Sequence, residues 1–123
     1  MQQLFQNLVS NALKFASPGK PPEISISSRI ISRKEMKNYC DLPEHKKYYH
    51  IRFSDNGIGF EQQYADHIFE IFKKLHGKAQ YNGSGIGLAL CRRIVTNHGG
   101  YIQAESVFGK GSVFHVFLPV KKA

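Results

Sequence analysis

Three groups of residues have types and spacings suited to chemistry. Asn7, Asn11 and Lys14 recur at i, i+4 and i+7, so on a helix they share one polar stripe. Asp55-Asn56-Gly57-Ile58-Gly59 puts a carboxylate and two glycines at the end of an apolar run. Gly83-Ser84-Gly85-Ile86-Gly87-Leu88 runs straight into an apolar-periodic segment. Five of the eleven glycines fall in the last two windows, and glycine lets backbone amides approach a ligand closely. A glycine-rich turn that opens a helix offers unpaired N–H groups and the positive end of the helix dipole, both suited to phosphate. Asparagine is a poor residue for a helix interior, so its repetition along one edge points to a task beyond helix formation. Either glycine window alone would pass for an ordinary turn, and the stripe alone for a solvated edge. Together they read as a site.

The elements that must position these groups follow from periodicity. Residues 2–16 read as a helix, with Leu4, Leu8 and Ala12 beside Phe5, Val9 and Leu13 as two i, i+4 rows; Ser17-Pro18-Gly19 ends it. Glu23 to Ile31 alternates as a strand with Ile24, Ile26 and Ile30 on one face. A basic, polar connection from Ser32 to Lys47 follows, with one helical turn around Arg33 to Asn38. A second strand, Tyr48 to Ser54, puts Tyr49, Ile51 and Phe53 on one face and pairs antiparallel with the first. Asp55 is in phase with Ile51 and Phe53, so its carboxylate turns toward the buried side and needs a donor to offset its desolvation. The exocyclic amino group of a purine would be one. Asp55-Asn56-Gly57 could form a hairpin turn, but Gly59 and a short helical stretch from Glu61 to His67 come next rather than a pairing strand. Ile68, Phe69, Ile71 and Phe72 form an apolar cluster ahead of Lys73-Lys74, and Leu75 to Gly83 has the composition of a mobile surface loop. A helix from Ile86 to Asn97 is capped by Gly99-Gly100, and strands Tyr101 to Val107 and Ser112 to Leu118 are joined by Phe108-Gly109-Lys110-Gly111.

At 123 residues the chain is one domain, with 41% hydrophobic and 21% charged residues, the balance of a soluble globular protein. No apolar run approaches a membrane span and no signal peptide opens the chain, so no membrane contact is expected. Cys40 and Cys91 make neither a disulfide framework nor a zinc site, which implies a reducing, cytoplasmic compartment. The net charge of +8 favours polyanionic partners, although much of the excess lies between Arg29 and Arg52 and reads as a solvated loop face. Nucleic-acid binding is disfavoured because Phe53, Phe69, Phe72 and Phe114 sit in apolar phase rather than among exposed cations. The six histidines show no metal spacing and no Ser/His/Asp set; His50 and His115 lie on strands as surface or satisfied histidines. A dinucleotide turn is excluded because the glycines stand at 83, 85 and 87 with no strand before them. Gly109-Lys110-Gly111-Ser112 lacks the earlier glycine of a Walker A loop and is a turn between strands.

Four ordered motifs carry a resemblance to a known family. Asn7-Leu8-Val9-Ser10-Asn11-Ala12-Leu13-Lys14-Phe15 is similar to the N box of the catalytic, ATP-binding domain of bacterial sensor histidine kinases, and Asp55-Asn56-Gly57-Ile58-Gly59-Phe60 to its first glycine box. Ile68-Phe69-Glu70-Ile71-Phe72-Lys73-Lys74 resembles the F box, and Gly83-Ser84-Gly85-Ile86-Gly87-Leu88 the second glycine box. The resemblance covers nearly the whole chain and extends to a branch of ATPases that includes gyrase and the MutL repair proteins. It implies an α/β (α+β) two-layer sandwich, the Bergerat fold: a mixed, mostly antiparallel sheet with about three helices on one face and ATP held between helices under a lid. It further implies that Asn11, assisted by Asn7, holds Mg²⁺ and that Lys14 meets phosphate. Asp55 would accept from the adenine amino group beside Gly57, Gly59 and Phe60, with Gly59 letting the chain pass close to the base. Phe15 would line the site, Lys74 would reach the terminal phosphates, and the backbone from Gly83 through Ser84, Gly85, Ile86, Gly87 and Leu88 would cradle them.

Two departures from the family pattern refine the expectation. Hydrolytic relatives carry a glutamate general base where this chain has Asn7, and an amide cannot take a proton from water near neutral pH. The site is thus better suited to passing the γ-phosphoryl group to a histidine on separate dimerisation helices, and onward to a response-regulator receiver domain, than to activating water. An ATPase or serine kinase of the same fold is the alternative. Second, the family's upstream strand and histidine-bearing helical domain are not in the sequence, so residues 1–123 are expected to be a catalytic domain from a longer, dimeric protein.

Overall fold

The computed structural model describes residues 2–41, 43–64, 67–69 and 84–120. Helix α1 (Gln2–Lys14) leads to strand β1 (Ile24–Ser32), the single turn α2 (Arg33–Met36) and strand β2 (Lys47–Asp55). A 3-10 turn, Gln62–Tyr64, lies within the short helix predicted for Glu61 to His67, and a second, His67–Phe69, begins at its last residue. Helix α3 (Ser84–Asn97) and the hairpin of β3 (Tyr101–Val107) and β4 (Gly111–Pro119) complete the chain. The sheet order is β1-β2-β4-β3, and every pairing among the described strands is antiparallel.

The inner face of the sheet carries the main core. Leu4 and Leu8 of α1 and Leu88, Cys91 and Val95 of α3 pack over Phe53, Phe114, Val116, Ile102 and Ala104. The first i, i+4 row of α1 folds as the sequence predicts, with Leu4, Leu8 and Ala12 buried; of the second row Phe5, stacked on Phe53 at 6.1 Å, and Val9 pack against the core, whereas Leu13 is exposed at the helix end. Helix α3 begins at Ser84, two residues before the predicted start, so Gly85 and Gly87 lie within its first turns. Glycine costs a helix only about 1 kcal/mol per residue, which the packed remainder of α3 offsets. Its other end closes as predicted, with Gly99 at φ +78° and the Gly100 N–H donating to Val95 O at 2.9 Å.

Burial on β1 departs from the alternation. Ile24 joins the inner core, but Ile26 and Ile30 are more than half exposed and the buried isoleucine is Ile31, on the opposite face. The cause is position: β1 is an edge strand of the described sheet, and the α1 and α3 side chains of the core lie over its neighbours.

The outer face is closed at one end by the β1–β2 connection. Met36 of α2 packs with Ile31, Tyr48 and Phe117, and Tyr39 and Cys40 lie against this second, smaller core. Ser32 caps the turn by accepting from the Glu35 N–H at 3.3 Å. The Tyr48 hydroxyl accepts the N–H groups of Glu44 and His45, which ties the returning chain down. Here lie the two strand histidines. Both are buried and bonded to each other, His50 Nε2 to His115 Nδ1 at 2.8 Å, with His115 Nε2 donating to Glu105 Oε1 at 2.8 Å. Neither is a surface residue, and only His115 is satisfied at both ring nitrogens; His50 Nδ1 is buried with no hydrogen-bond partner, which corrects the expectation for His50.

Candidate nucleotide site

Strand β2 delivers Asp55 to the rim of the inner face, as its phase with Phe53 requires. Its Oδ1 accepts the Gly57 N–H at 2.8 Å. Burial pushes the carboxyl above the usual carboxylate range, and the backbone amides of Gly57 and Ser112 pull the other way. Asp55 is therefore a carboxylate that two amides do not fully compensate, which leaves acceptor capacity for a further donor.

The segment after Asp55 is no hairpin turn. It forms a ledge held from three sides. Asn56 exchanges bonds with the lead-in to β1: its N–H donates to Glu23 O, its Oδ1 accepts the Glu23 N–H at 2.9 Å, and its Nδ2 donates to Pro21 O. The Ile58 N–H donates to Phe15 O at 2.9 Å, joining the ledge to the end of α1. On the third side the Phe60 N–H donates to Ser106 Oγ at 2.8 Å, and the Gly109 N–H donates to Ile58 O at 2.6 Å. Gly59, at φ +67°, has no room for a Cβ, which would lie 2.6 Å from Val107 O and 2.8 Å from Ser106 Oγ. A close approach that demands glycine here is thus to the β3–β4 hairpin.

Helix α1 presents the polar stripe beside this ledge. Asn7 and Asn11 are half-buried and Lys14 is exposed. Asn7 Nδ2 is buried with no hydrogen-bond partner, an arrangement that costs about 1–3 kcal/mol unless a ligand satisfies it. Phe15 is half-buried at the helix end, where its carbonyl serves the ledge. From the second glycine window, Ser84, Gly85, Ile86 and Gly87 form the first turn of α3 and bring its free N–H groups. Leu88 is in the apolar core, so what it can offer a ligand is backbone. Phe60 packs its ring against the same core. Lys74, Gly83, most of the F box and the 75–82 loop lie outside the described residues. Of the F box, Ile68 and Phe69 are described: Ile68 packs against the core, and Phe69 is buried against Phe114, with the Arg92 guanidinium 4.8 Å from its ring centre.

The structure therefore gathers Phe15, Asp55, Gly57, Gly59 and Phe60 along one ledge, tied by the Asp55–Gly57, Phe15–Ile58 and Phe60–Ser106 bonds, with the α1 stripe and the start of α3 on elements that share one core. Asn56, Gln62 and Ser106 were missed from sequence. The available signal was Ser106, a polar residue in phase with buried Ile102 and Ala104.

This architecture is shared with proteins of known class. The family model described as histidine kinase-, DNA gyrase B-, and HSP90-like ATPase matches residues 1–122, and the chain belongs to this family. It is 39% identical over 120 residues to cyanobacterial phytochrome A of Nostoc sp., a match covering 98% of this chain and 14% of that protein. It is 38% identical to the adaptive-response sensory kinase SasA of a Synechococcus sp., covering 98% of this chain and 28% of that one. Among solved structures, the catalytic domain of histidine kinase ThkA superposes with a TM-score of 0.64 at 26% identity, covering 96% of this chain and 65% of that one. The chain thus corresponds to the catalytic ATPase-type domain that histidine kinases carry, and it spans well under a third of the length of these curated relatives. Among the described residues no helix is long and apolar enough to cross a membrane.

Proposed function

We propose that the domain binds Mg-ATP between α1, the Asp55 ledge and the start of α3, and serves as the phosphoryl donor of a sensor histidine kinase. The observation that carries this reading is the pair of unmet polar groups on adjoining elements, the under-compensated Asp55 carboxylate and the orphaned Asn7 Nδ2. Asp55 accepts from the adenine amino group, beside Gly57, Gly59 and Phe60. Asn7 and Asn11 supply the side-chain oxygens that suit Mg²⁺, and the Asn7 Nδ2–H group is left for a phosphate oxygen. The metal, when bound, neutralises charge that develops on the phosphates. Lys14 and Lys74 approach the phosphates, as do the N–H groups at Ser84–Gly87.

In the transfer itself the bond from the γ-phosphorus to the β–γ bridging oxygen breaks. A bond forms to an imidazole nitrogen of the acceptor, whose displaced proton passes to an acidic neighbour or to solvent. The acceptor is a histidine on dimerisation helices elsewhere in the full-length protein, and a receiver domain takes the phosphoryl group in turn. Asn7 provides no base for water, so hydrolysis by the domain alone is slow.

Two measurements test this. Calorimetry should find ATP bound far more tightly than GTP, whose base has an acceptor where adenine has its amino group; Asp55→Asn should weaken ATP by about 2–3 kcal/mol. Equal affinities for the two nucleotides would refute the base assignment. With γ-labelled ATP, label should appear on an added histidine-bearing helical domain and not on this chain. Asn11→Ala should abolish the transfer.

A further inference from the structure

The residue that sets the ledge lies outside all four sequence motifs. We propose that Ser106, braced by Gln62, is a positioning residue for base recognition; the inference rests on the nucleotide reading above. Ser106 is nine-tenths buried on β3, an edge strand of the described sheet, and its hydroxyl has three partners. Gly111 O, 2.7 Å away, can only accept, so the single hydroxyl proton goes there. The oxygen is then an acceptor toward its other two neighbours: the Phe60 N–H at 2.8 Å and the Ser112 hydroxyl at 3.2 Å, which must be the donor of that pair. Every hydrogen-bonding position of Ser106 Oγ is thereby used, and each sets a direction.

Gln62 holds the other side of the same residue. Its Oε1 accepts the Ser106 N–H at 2.8 Å and its Nε2 donates to Ala104 O at 3.2 Å. One side-chain amide thus pairs with β3 as an added strand would, and the two bonds fix which end of the amide is oxygen. Gln62 lies just beyond Phe60, so the ledge is clasped to the hairpin at both residues.

The consequence for recognition runs through a short piece of backbone. Gly57 donates to the Asp55 carboxylate, and Gly59 is held at positive φ against Ser106. The Phe60 bond fixes the end of the segment that contains both. Asp55 is anchored by β2, and the loop that aims its carboxylate is held near its start at Asn56 and Ile58 and at its far end, beyond Gly59, by Ser106. Loss of the hydroxyl leaves the Phe60 N–H without its acceptor and frees the loop to turn about Gly59.

The test compares ATP with inorganic tripolyphosphate, which has no base. Ser106→Ala should weaken ATP about five- to tenfold, as expected for one buried hydrogen bond. It should narrow the ATP-to-GTP ratio, leave tripolyphosphate affinity unchanged and speed amide exchange at Phe60. Gln62→Ala, at an exposed residue, should do the same to a smaller degree and decides the matter if Ser106→Ala does not fold. Unchanged ATP affinity in the folded variants overturns the proposal, as does a loss shared equally by tripolyphosphate, which would mark general damage. A parent chain that binds neither ATP nor GTP overturns the nucleotide reading as well.

Discussion

On the inner face of the sheet Phe53, Phe114, Val116 and Ile102 meet α1 and α3 through apolar contact, whereas on the outer face a histidine pair packs beside the Tyr39 and Phe117 rings. The inner cluster has no proton inventory apart from the Cys91 thiol, which burial pushes up to about 11 and so keeps neutral. The outer one has a defined inventory. Glu105 only accepts, so His115 carries its proton on Nε2 and accepts from His50 at Nδ1. That leaves His50 Nδ1 as a bare lone pair, the one histidine nitrogen among the described residues that is buried without a partner. A second proton there would find no acceptor. Burial and the adjacent His115, Arg29 and Arg52 accordingly lower the His50 pKa to about 4, against a small opposing pull from Glu35. The same sheet thus has one face whose packed cluster contains no group that titrates in moderate acid and one whose packing includes a histidine that does.

Cavity substitutions give the largest expected effects and show whether the two faces are separable. Phe114→Ala should cost about 3–5 kcal/mol in urea unfolding and weaken nucleotide binding, because Phe114 supports Phe53 and Phe69 under the site. Met36→Ala should cost about 2–3 kcal/mol, toward the low end because a single turn can settle, and should leave the nucleotide affinity of the folded fraction unchanged. Equal losses of affinity would show that the faces act as one unit.

Acid should distinguish the faces next. Above about pH 6.5 His50 is neutral in both the folded and unfolded chain. Between there and its folded pKa of about 4 only the unfolded chain takes the proton. Stability should therefore fall as pH drops through this window, by up to about 3 kcal/mol. His50→Phe should flatten that limb of the curve, and an unchanged limb would assign the acid sensitivity elsewhere.

The smallest effect concerns the one polar exception at the inner rim. Burial raises the Asp55 pKa, so ionisation of this carboxyl favours the unfolded state at neutral pH. Asp55→Asn keeps an acceptor for the Gly57 N–H and removes that charge. A thermal melt should show equal or slightly higher stability alongside the lost ATP affinity. A clear drop in melting temperature would mean that the charge is structural.

How much of this was legible in the sequence differs between the faces. The inner face follows from periodicity in its middle, where α1 buries Leu4, Leu8 and Ala12 and β2 buries Phe53, and the glycine windows mark the rim; Leu13 and Tyr49, in phase with these, are exposed because they lie at the ends of their elements. The isoleucines of β1 mislead since alternation gives a face but not what covers it. The histidine pair depends on register: His50 stands opposite Phe117 and His115 opposite Arg52, so the rings meet only as diagonal neighbours across β2 and β4. Ser106 is hidden for the same reason, because its partners come from the Ser106–Ser112 register and from a loop far earlier in the chain.

The strand order has a consequence for how the site comes into being. The pairs β1–β2 and β3–β4 each join strands that are consecutive in the chain, but β2–β4 joins residues as remote as Tyr48 and Pro119. Local hairpins close at lower entropic cost than remote pairings, so the union of the two halves is the demanding event in folding. Asp55 belongs to the first half; Ser106, Gly111 and Ser112 belong to the second. Gly111 makes the junction tight, since a Cβ there would overlap the Asp55 carbonyl. Neither half alone can hold the ledge, and a ligand that spans it would act as a clamp on the slowest-formed seam of the molecule.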